Sequence, residues 1–314
     1  MSDRIAGVLL AAACGDALGV HYEPAQRGPA DGDPRMLGGG YGAYAPGEYS
    51  DDTQMAVVIA RVAVSSDLRS EEALDRVASG FVVDWFGGGA TDVGAQTRSL
   101  LGRAAAGFAP SGAAARLRSI GADLHRETGR TAGNGSLMRT APVALAFSGQ
   151  ADAMAEAAMA VSALTHHDPI AGEACVLWCL AIDHAIRTGS LDVSAGLSRV
   201  SPGWGARIAE AEAAPVSAFA AKSGWVVAAL QAAWAAVYGV RDVADPAQRL
   251  RAGLVAAVNG GGDTDTVAAI AGALLGAACG ASAVPAEWRA IVHGWPGLNA
   301  ADLEQLALAC AWKG

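Results

Sequence analysis

The sequence predicts an all-α protein on three observations. Apolar residues recur at helical spacing, as at Met55, Val58, Ile59 and Val62, which follow the i, i+3, i+4, i+7 pattern of one buried face. Strand-like alternation is scarce. The chain is 52% hydrophobic but only 6% aromatic, its apolar content dominated by Ala, Val and Leu among 40 glycines. Small apolar residues of this kind suit close helix packing.

Taken in order, the elements begin with the apolar run Ile5 to Ala13. It ends in Ala11-Ala12-Ala13-Cys14, which has the look of a lipoprotein cleavage site. Asp3 stands against Arg4, however, where an export signal carries net positive charge, so the run is read as a first helix. Pro24 to Tyr49 is the longest segment without helical pattern and is rich in Gly and Pro. Long irregular loops in compact domains are usually functional or disordered, and this one lies between two acidic motifs, which favours function. Helical pattern resumes at Met55 and recurs over Glu71 to Phe86, Ala151 to Leu164, Gly172 to Thr188, Gly224 to Tyr238, Pro246 to Val258 and Val267 to Gly280. Gly-rich turns separate these stretches, with no Ser/Pro-rich linker and no fixed-period repeat, so one domain over residues 1–314 is expected.

Charge and cysteine content narrow the partners. Thirty-one Asp and Glu against 22 Lys and Arg give a net charge of −9, which argues against a nucleic-acid partner or an anionic membrane surface. No apolar run reaches the roughly 18 residues of a membrane span without a polar interruption. The five cysteines sit in apolar stretches and are odd in number, which points to reduced thiols and a cytoplasmic location. Cys175 and Cys179 share a helical face, and two core thiols are preferred there over a metal site.

Three acidic segments carry the chemistry. Ser50-Asp51-Asp52-Thr53 stands directly before the Met55 pattern, with Ser50 placed as an N-cap. Acidic residues in a first helical turn also complement the helix dipole, by about 0.3–1 kcal/mol each, and alone the motif would mean no more. Asn259 to Thr266, with three consecutive glycines and then Asp263-Thr264-Asp265-Thr266, again precedes a helix. The glycines permit close backbone approach, and hard oxygen donors without His or Cys suit Mg²⁺ or Mn²⁺ rather than zinc. Gly15-Asp16-Ala17-Leu18-Gly19 leads to Glu23. Asp16, inside an apolar run, needs hydrogen-bond partners to be buried, and Glu23 lies just past that run. If Glu23, Asp51, Asp52, Asp263 and Asp265 converge, protonation or cations must relieve their repulsion.

Together with Gly133-Asn134-Gly135-Ser136-Leu137-Met138-Arg139 and Thr165-His166, these motifs resemble the ADP-ribosylglycohydrolase family, in the family's order and across nearly the whole chain. The resemblance implies an orthogonal bundle of helices around a cleft holding two Mg²⁺ or Mn²⁺ ions. It assigns Ser50, Asp51, Asp52, Asp263, Asp265 and Thr266 as metal ligands and sets Glu23 beside the metals. Gly133, Asn134, Gly135 and Ser136 match the loop that holds diphosphate and ribose, on which backbone N–H groups form an anion nest. Arg139 is left between phosphate binding and a structural ion pair. His166 is left between a substrate contact and a helix start, with the structural role preferred. Asp92-Val93-Gly94 looks like a motif of the arginine and dinitrogenase-reductase branch, and is also readable as a capped turn. Trp225 stands where relatives often place Tyr near the adenosine end, and is equally readable as a core residue.

The activity implied is hydrolysis of the glycosidic bond at the anomeric carbon of ADP-ribose, most readily on an arginine-linked protein. A small-molecule, serine or nucleobase conjugate is the alternative. Glu23 or a neighbouring Asp, with Asp52 the other candidate, moves the proton, and the cations acidify the attacking water. Two rivals compete. A phosphohydrolase of the HD type would use His125, His166, His167 and Asp168 but leaves both acidic motifs unexplained. A non-catalytic crystallin-like member has no physical reason to keep such charge density.

Overall fold

The computed structural model describes residues 1–312. Its helices are α1 (Ser2–Gly19), α2 (Asp51–Ala63), α3 (Glu71–Ser79), α4 (Ala95–Ala105), α5 (Ala113–Thr128), α6 (Ala141–Ala146) and α7 (Ala151–Ser162). They continue with α8 (Pro169–Thr188), α9 (Trp204–Ala213), α10 (Val226–Gly239), α11 (Pro246–Asn259), α12 (Thr264–Cys279), α13 (Ala286–Arg289) and α14 (Ala300–Ala311). Among the described residues the only strands are His293–Gly294 and Leu298–Asn299, two residues each. The all-α expectation stands.

Two helices form the centre. α1 buries every residue from Ile5 to Gly19, and α12 every residue from Thr264 to Ala277. A helix that is apolar all round has no face to give to water and must be enclosed. α8, α10, α11 and α14 enclose this pair. Between α1 and α12 the backbones themselves touch: a Cβ on Gly15 would stand 2.2 Å from the Ala268 carbonyl oxygen, and one on Gly276 would stand 2.1 Å from that of Gly7. Gly272 meets Ala11 O at 2.3 Å in the same way. No side chain fits at these crossings without moving the two helices apart.

The long helical stretches fall where the periodicity places them, with boundaries moved by local chemistry. α8 begins at Pro169 rather than Gly172 because Asp168 caps it, accepting from the Ile170 N–H at 3.1 Å, and proline suits the first turn. The stretch Glu71 to Phe86 is continuous, but from Gly80 it widens into a π-helical turn in which the Gly87 N–H donates to Val82 O. α8 has the length and composition of a membrane span, yet 78% of its apolar window is buried. Its acidic residues are satisfied within the fold. Asp183 accepts from the Ser148 hydroxyl and the Gly149 N–H, and Glu173 from the Trp204 indole.

The backbone contact predicts opposite outcomes for two glycine-to-alanine changes. Gly15→Ala forces α1 from α12 and should destabilise the protein by about 1–3 kcal/mol. Gly102→Ala, inside α4 with open space around it, should stabilise it by about 0.5–1 kcal/mol through helix propensity. Urea denaturation of both variants decides. Equal shifts in the same direction would remove the argument for backbone contact.

Candidate active site

Asp16 on α1 organises the first acidic segment. Fully buried, its carboxylate accepts from the Ser50 N–H (2.8 Å), the Thr53 N–H (3.0 Å) and the Thr53 hydroxyl (2.7 Å). The orphan donors at the start of α2 are therefore satisfied from another helix. Ser50 occupies the N-cap position but makes no side-chain cap. Its hydroxyl turns instead to Asp52 (2.9 Å) and Asp265 (3.5 Å). The N-cap role expected of Ser50 is thus taken by Asp16, and the serine oxygen is released into the carboxylate cluster.

The second acidic segment is held by glycine. Gly261 and Gly262 both have φ of +77°, and the Gly262 N–H donates to Gln26 O at 3.0 Å. A Cβ on Gly262 would meet Ala220 O at 2.4 Å. The turn is thereby wedged between the segment after Glu23 and the segment before Ser223. Thr264 donates its hydroxyl to Gly19 O (2.9 Å), and a Cβ on Gly19 would stand 2.3 Å from Asp265 Cα. Asp263 receives the Asn134 amide at 2.7 Å and gives its own N–H to the Ser223 hydroxyl at 2.8 Å. As a result Glu23, Asp263 and Asp265 bring carboxylate oxygens within 4.8 Å of one another.

These groups line one end of a cleft of about 820 Å³. Glu23, Asp51, Asp92, Asp263, Asp265 and Thr266 form its acidic end. Gly133, Asn134, Gly135, His166 and Trp225 line the rest. Ser50, Asp52 and Ser136 are brought close but lie beneath the wall, each no more than 2% exposed. Asp52 contacts the cluster from below rather than facing the cleft.

The glycine loop differs in detail from an anion nest. Neither Gly133 nor Gly135 has positive φ; residues 134–136 form a 3₁₀ turn. The Gly133 and Asn134 N–H groups are taken by Gln96 Oε1 and Gly224 O. The Asn134 side chain is spent on Asp263 and Ser223 O, and the Ser136 hydroxyl turns inward to Ser162. Arg139 is not on the cleft wall and makes no ion pair among the described residues. Trp225 is 41% exposed, which removes the reading of a core tryptophan. His125 bonds Thr131 and stacks near His167, while Asp168 caps α8; no metal-ligand cluster forms there among the described residues, against the HD reading. Two residues that hold the site were missed in the sequence, Gln96 and Ser223. Both act by linking backbone to backbone or backbone to Asp263, a role that leaves no motif.

Residues 1–313 match the ADP-ribosylglycohydrolase family. The chain belongs to that family. It is 32% identical over 300 residues to an ADP-ribosylarginine hydrolase Tri1 of Pseudomonas putida, covering 91% of this chain and 73% of that one. It is 26% identical over 292 residues to the ADP-ribosyl-[dinitrogen reductase] glycohydrolase of Rhodospirillum rubrum, covering 91% and 89%. A solved ADP-ribosylglycohydrolase-related protein complex superposes with a TM-score of 0.71 at 28% identity, over 99% of this chain and 97% of that one.

The electrostatics of this glycohydrolase cleft follow from crowding. Burial pushes the Glu23 carboxyl up to about 9, and Asp263, Asp92 and Asp51 add to the shift. Burial first, then neighbouring carboxylates, raise Asp51, Asp52 and Asp265 well above the ordinary range. Asp16 rises to about 6, burial being partly offset by the Thr53 and Ser50 hydrogen bonds. The donor set fits divalent cations. It consists of hard oxygens, it carries excess negative charge, and Asp52 Oδ1 is buried with no hydrogen-bond partner. Asp16 shares the cluster but spends its oxygens on α2.

Each raised carboxyl holds a proton in the folded chain that the unfolded chain has lost. Its stabilisation is therefore full at low pH and is lost as pH rises towards the folded value. His166 works in the opposite sense, since its pKa is lowered, but its contribution is complete above about 6.5. In chelator the melting temperature should fall between pH 7 and pH 9, and excess Mg²⁺ should flatten that fall. Asp265→Asn removes one repelling carboxylate, so in chelator it should melt at or above the wild type. In saturating Mg²⁺ it should melt below, because ions that bind only the folded state stabilise it by about 2.7 kcal/mol at a hundred times Kd. A melting temperature that holds or rises from pH 7 to pH 9 in chelator would contradict this.

Proposed function

We propose that this chain is a divalent-metal-dependent hydrolase that releases ADP-ribose from arginine-linked ADP-ribosylated protein. The observation that carries the reading is the convergence of carboxylates from three distant segments at one end of a single cleft. Family membership and the arginine-hydrolase and dinitrogen-reductase relatives support it.

Ser50, Asp51, Asp52, Asp263, Asp265 and Thr266 would hold two Mg²⁺ or Mn²⁺ ions. Bound there, such ions would supply Lewis-acid chemistry, polarising oxygen and stabilising negative charge that develops on it. Glu23 is the proton carrier of the cleft. It lies on the wall, and in the metal-free cleft burial with its acidic neighbours pushes its carboxyl up to about 9. It therefore suits delivery of a proton to the departing nitrogen and recovery of one from the attacking water. Asp52, the other candidate, has no cleft surface and suits the ligand role alone.

The choice of arginine rests on charge. A guanidinium leaving group is cationic, and Asp92, half-buried at the acidic end, offers a carboxylate that accepts its N–H groups in a charge-assisted pair. A serine leaving group has no such charge. At the other end Trp225 exposes a flat aromatic face on which adenine stacks.

Incubation with arginine-, serine- and nucleobase-linked ADP-ribose in Mg²⁺ or Mn²⁺ tests both levels of the reading. Release of ADP-ribose is expected, with kcat/KM highest on the arginine linkage. An equal or higher value on serine would overturn the linkage alone. No release from any substrate would overturn the hydrolase.

A further inference from the structure

Arg139 is a buried cation without a carboxylate. It is 0% exposed, forms no ion pair among the described residues, and leaves its Nε without a hydrogen-bond partner. Its guanidinium stands 4.4 Å from the Phe81 ring centroid, a cation–π contact that replaces part of the lost hydration. A charge kept in such surroundings is expensive. Its strongest contact is a donation from Nη2 to the Thr165 hydroxyl at 2.5 Å, and that hydroxyl lies 2.8 Å from His166 Nδ1.

Donor counting fixes the direction of this chain. A guanidinium only donates, so Thr165 Oγ1 accepts from Arg139. The single hydroxyl proton then has one acceptor within reach, His166 Nδ1. Were Nδ1 to carry a proton instead, the Thr165 O–H would be buried with nothing among the described residues to accept it, and an unmade buried hydrogen bond is costly. Protonating both ring nitrogens fails for the same reason, and burial together with the Arg139 charge holds His166 far below its ordinary range. The proton on the ring is therefore on Nε2. That edge faces the glycine loop: a Cβ on Gly133 or Gly135 would stand 3.3 or 3.4 Å from Nε2. Gln96 ties the two parts together, donating to Thr165 O at 2.8 Å while its Oε1 accepts from the Gly133 N–H.

We infer that Arg139 is a positioning residue which, through Thr165, locks His166 in the Nε2–H tautomer and presents that N–H over the Gly133–Gly135 turn to an oxygen acceptor in the cleft. The acceptor class is a phosphate or sugar oxygen, and naming it so rests on the proposed function. The tautomer does not. A neutral donor suits this place because it binds oxygen without adding a titrating charge near the carboxylates.

Nitrogen chemical shifts of ¹⁵N-histidine-labelled full-length protein in Mg²⁺ at pH 7.5 read the tautomer directly, with His166→Gln assigning the resonance. The wild type and Thr165→Ser should show a protonated Nε2 and an unprotonated Nδ1. Thr165→Val and Arg139→Met should both admit the Nδ1–H form, and Thr165→Val should weaken binding of free ADP-ribose about tenfold. An Nδ1–H tautomer in the wild type, or unchanged Nε2–H shifts in Thr165→Val, would overturn the inference, and the Thr165 pair decides it even if Arg139→Met fails to fold. Wild-type protein that shows the Nε2–H tautomer but binds no ADP-ribose would overturn the proposed function and the oxygen acceptor, leaving the relay in place.

Discussion

The backbone contact between α1 and α12 is the constraint on which the site depends. Helices this close are locked in register, because each glycine crossing admits one alignment of the two backbones. That alignment makes one turn of α1, from Asp16 to Gly19, the place where two chemical segments meet. Asp16 receives the N-terminus of α2 and Gly19 receives the N-terminus of α12. Ser50 and Asp265, 215 positions apart, come within 3.5 Å because both dock on that turn. A carboxylate cluster needs such a rigid mount, since its members repel and would otherwise separate.

The repulsion also explains how the two ends of the cleft differ. At the acidic end the carboxylates are raised by burial and by one another, which makes folding costly unless protons or cations are present. Away from the carboxylates the lining includes glycine backbone, an imidazole that stays uncharged and an exposed indole, with Arg130 and Asp168 of opposite charge beside them. Arg139 is sealed under the wall, where it orients Thr165 rather than neutralising a ligand. Asn134 joins the two halves, since its amide holds Asp263 while its neighbours shape the glycine loop.

Much of this was legible in the sequence, and what was not has physical reasons. α1, α2, α8, α10 and α12 announce themselves because long buried helices need long apolar runs. α4 and α5 did not, although α4 buries Thr97, Leu100, Leu101 and Ala104 at helical spacing. Their stripes hold only two leucines each, Leu100 and Leu101 in α4 and Leu117 and Leu124 in α5, diluted by Thr, Ala and Gly that carry little hydrophobic signal. Asp51, Asp263 and Asp265 were visible as motifs, and the need of Asp16 for partners followed from its apolar surroundings. The identity of those partners did not follow, nor did the roles of Gln96 and Ser223, because a hydrogen bond between a side chain and a distant backbone has no sequence period. Ser136 sits inside a recognisable motif, yet its hydroxyl serves the core; a motif marks position, and only packing decides which way a side chain turns.

On the proposed function, the acidic segments mounted on α1 form one two-metal centre. A crystal grown in Mn²⁺, with an anomalous difference map measured at the manganese edge, addresses it most directly. Two manganese peaks about 3.5–4 Å apart are expected, ligated by oxygens of Asp51, Asp52, Asp263 and Asp265. Well-ordered crystals in saturating Mn²⁺ with no anomalous peak among these carboxylates, or with manganese held at another surface, would contradict it.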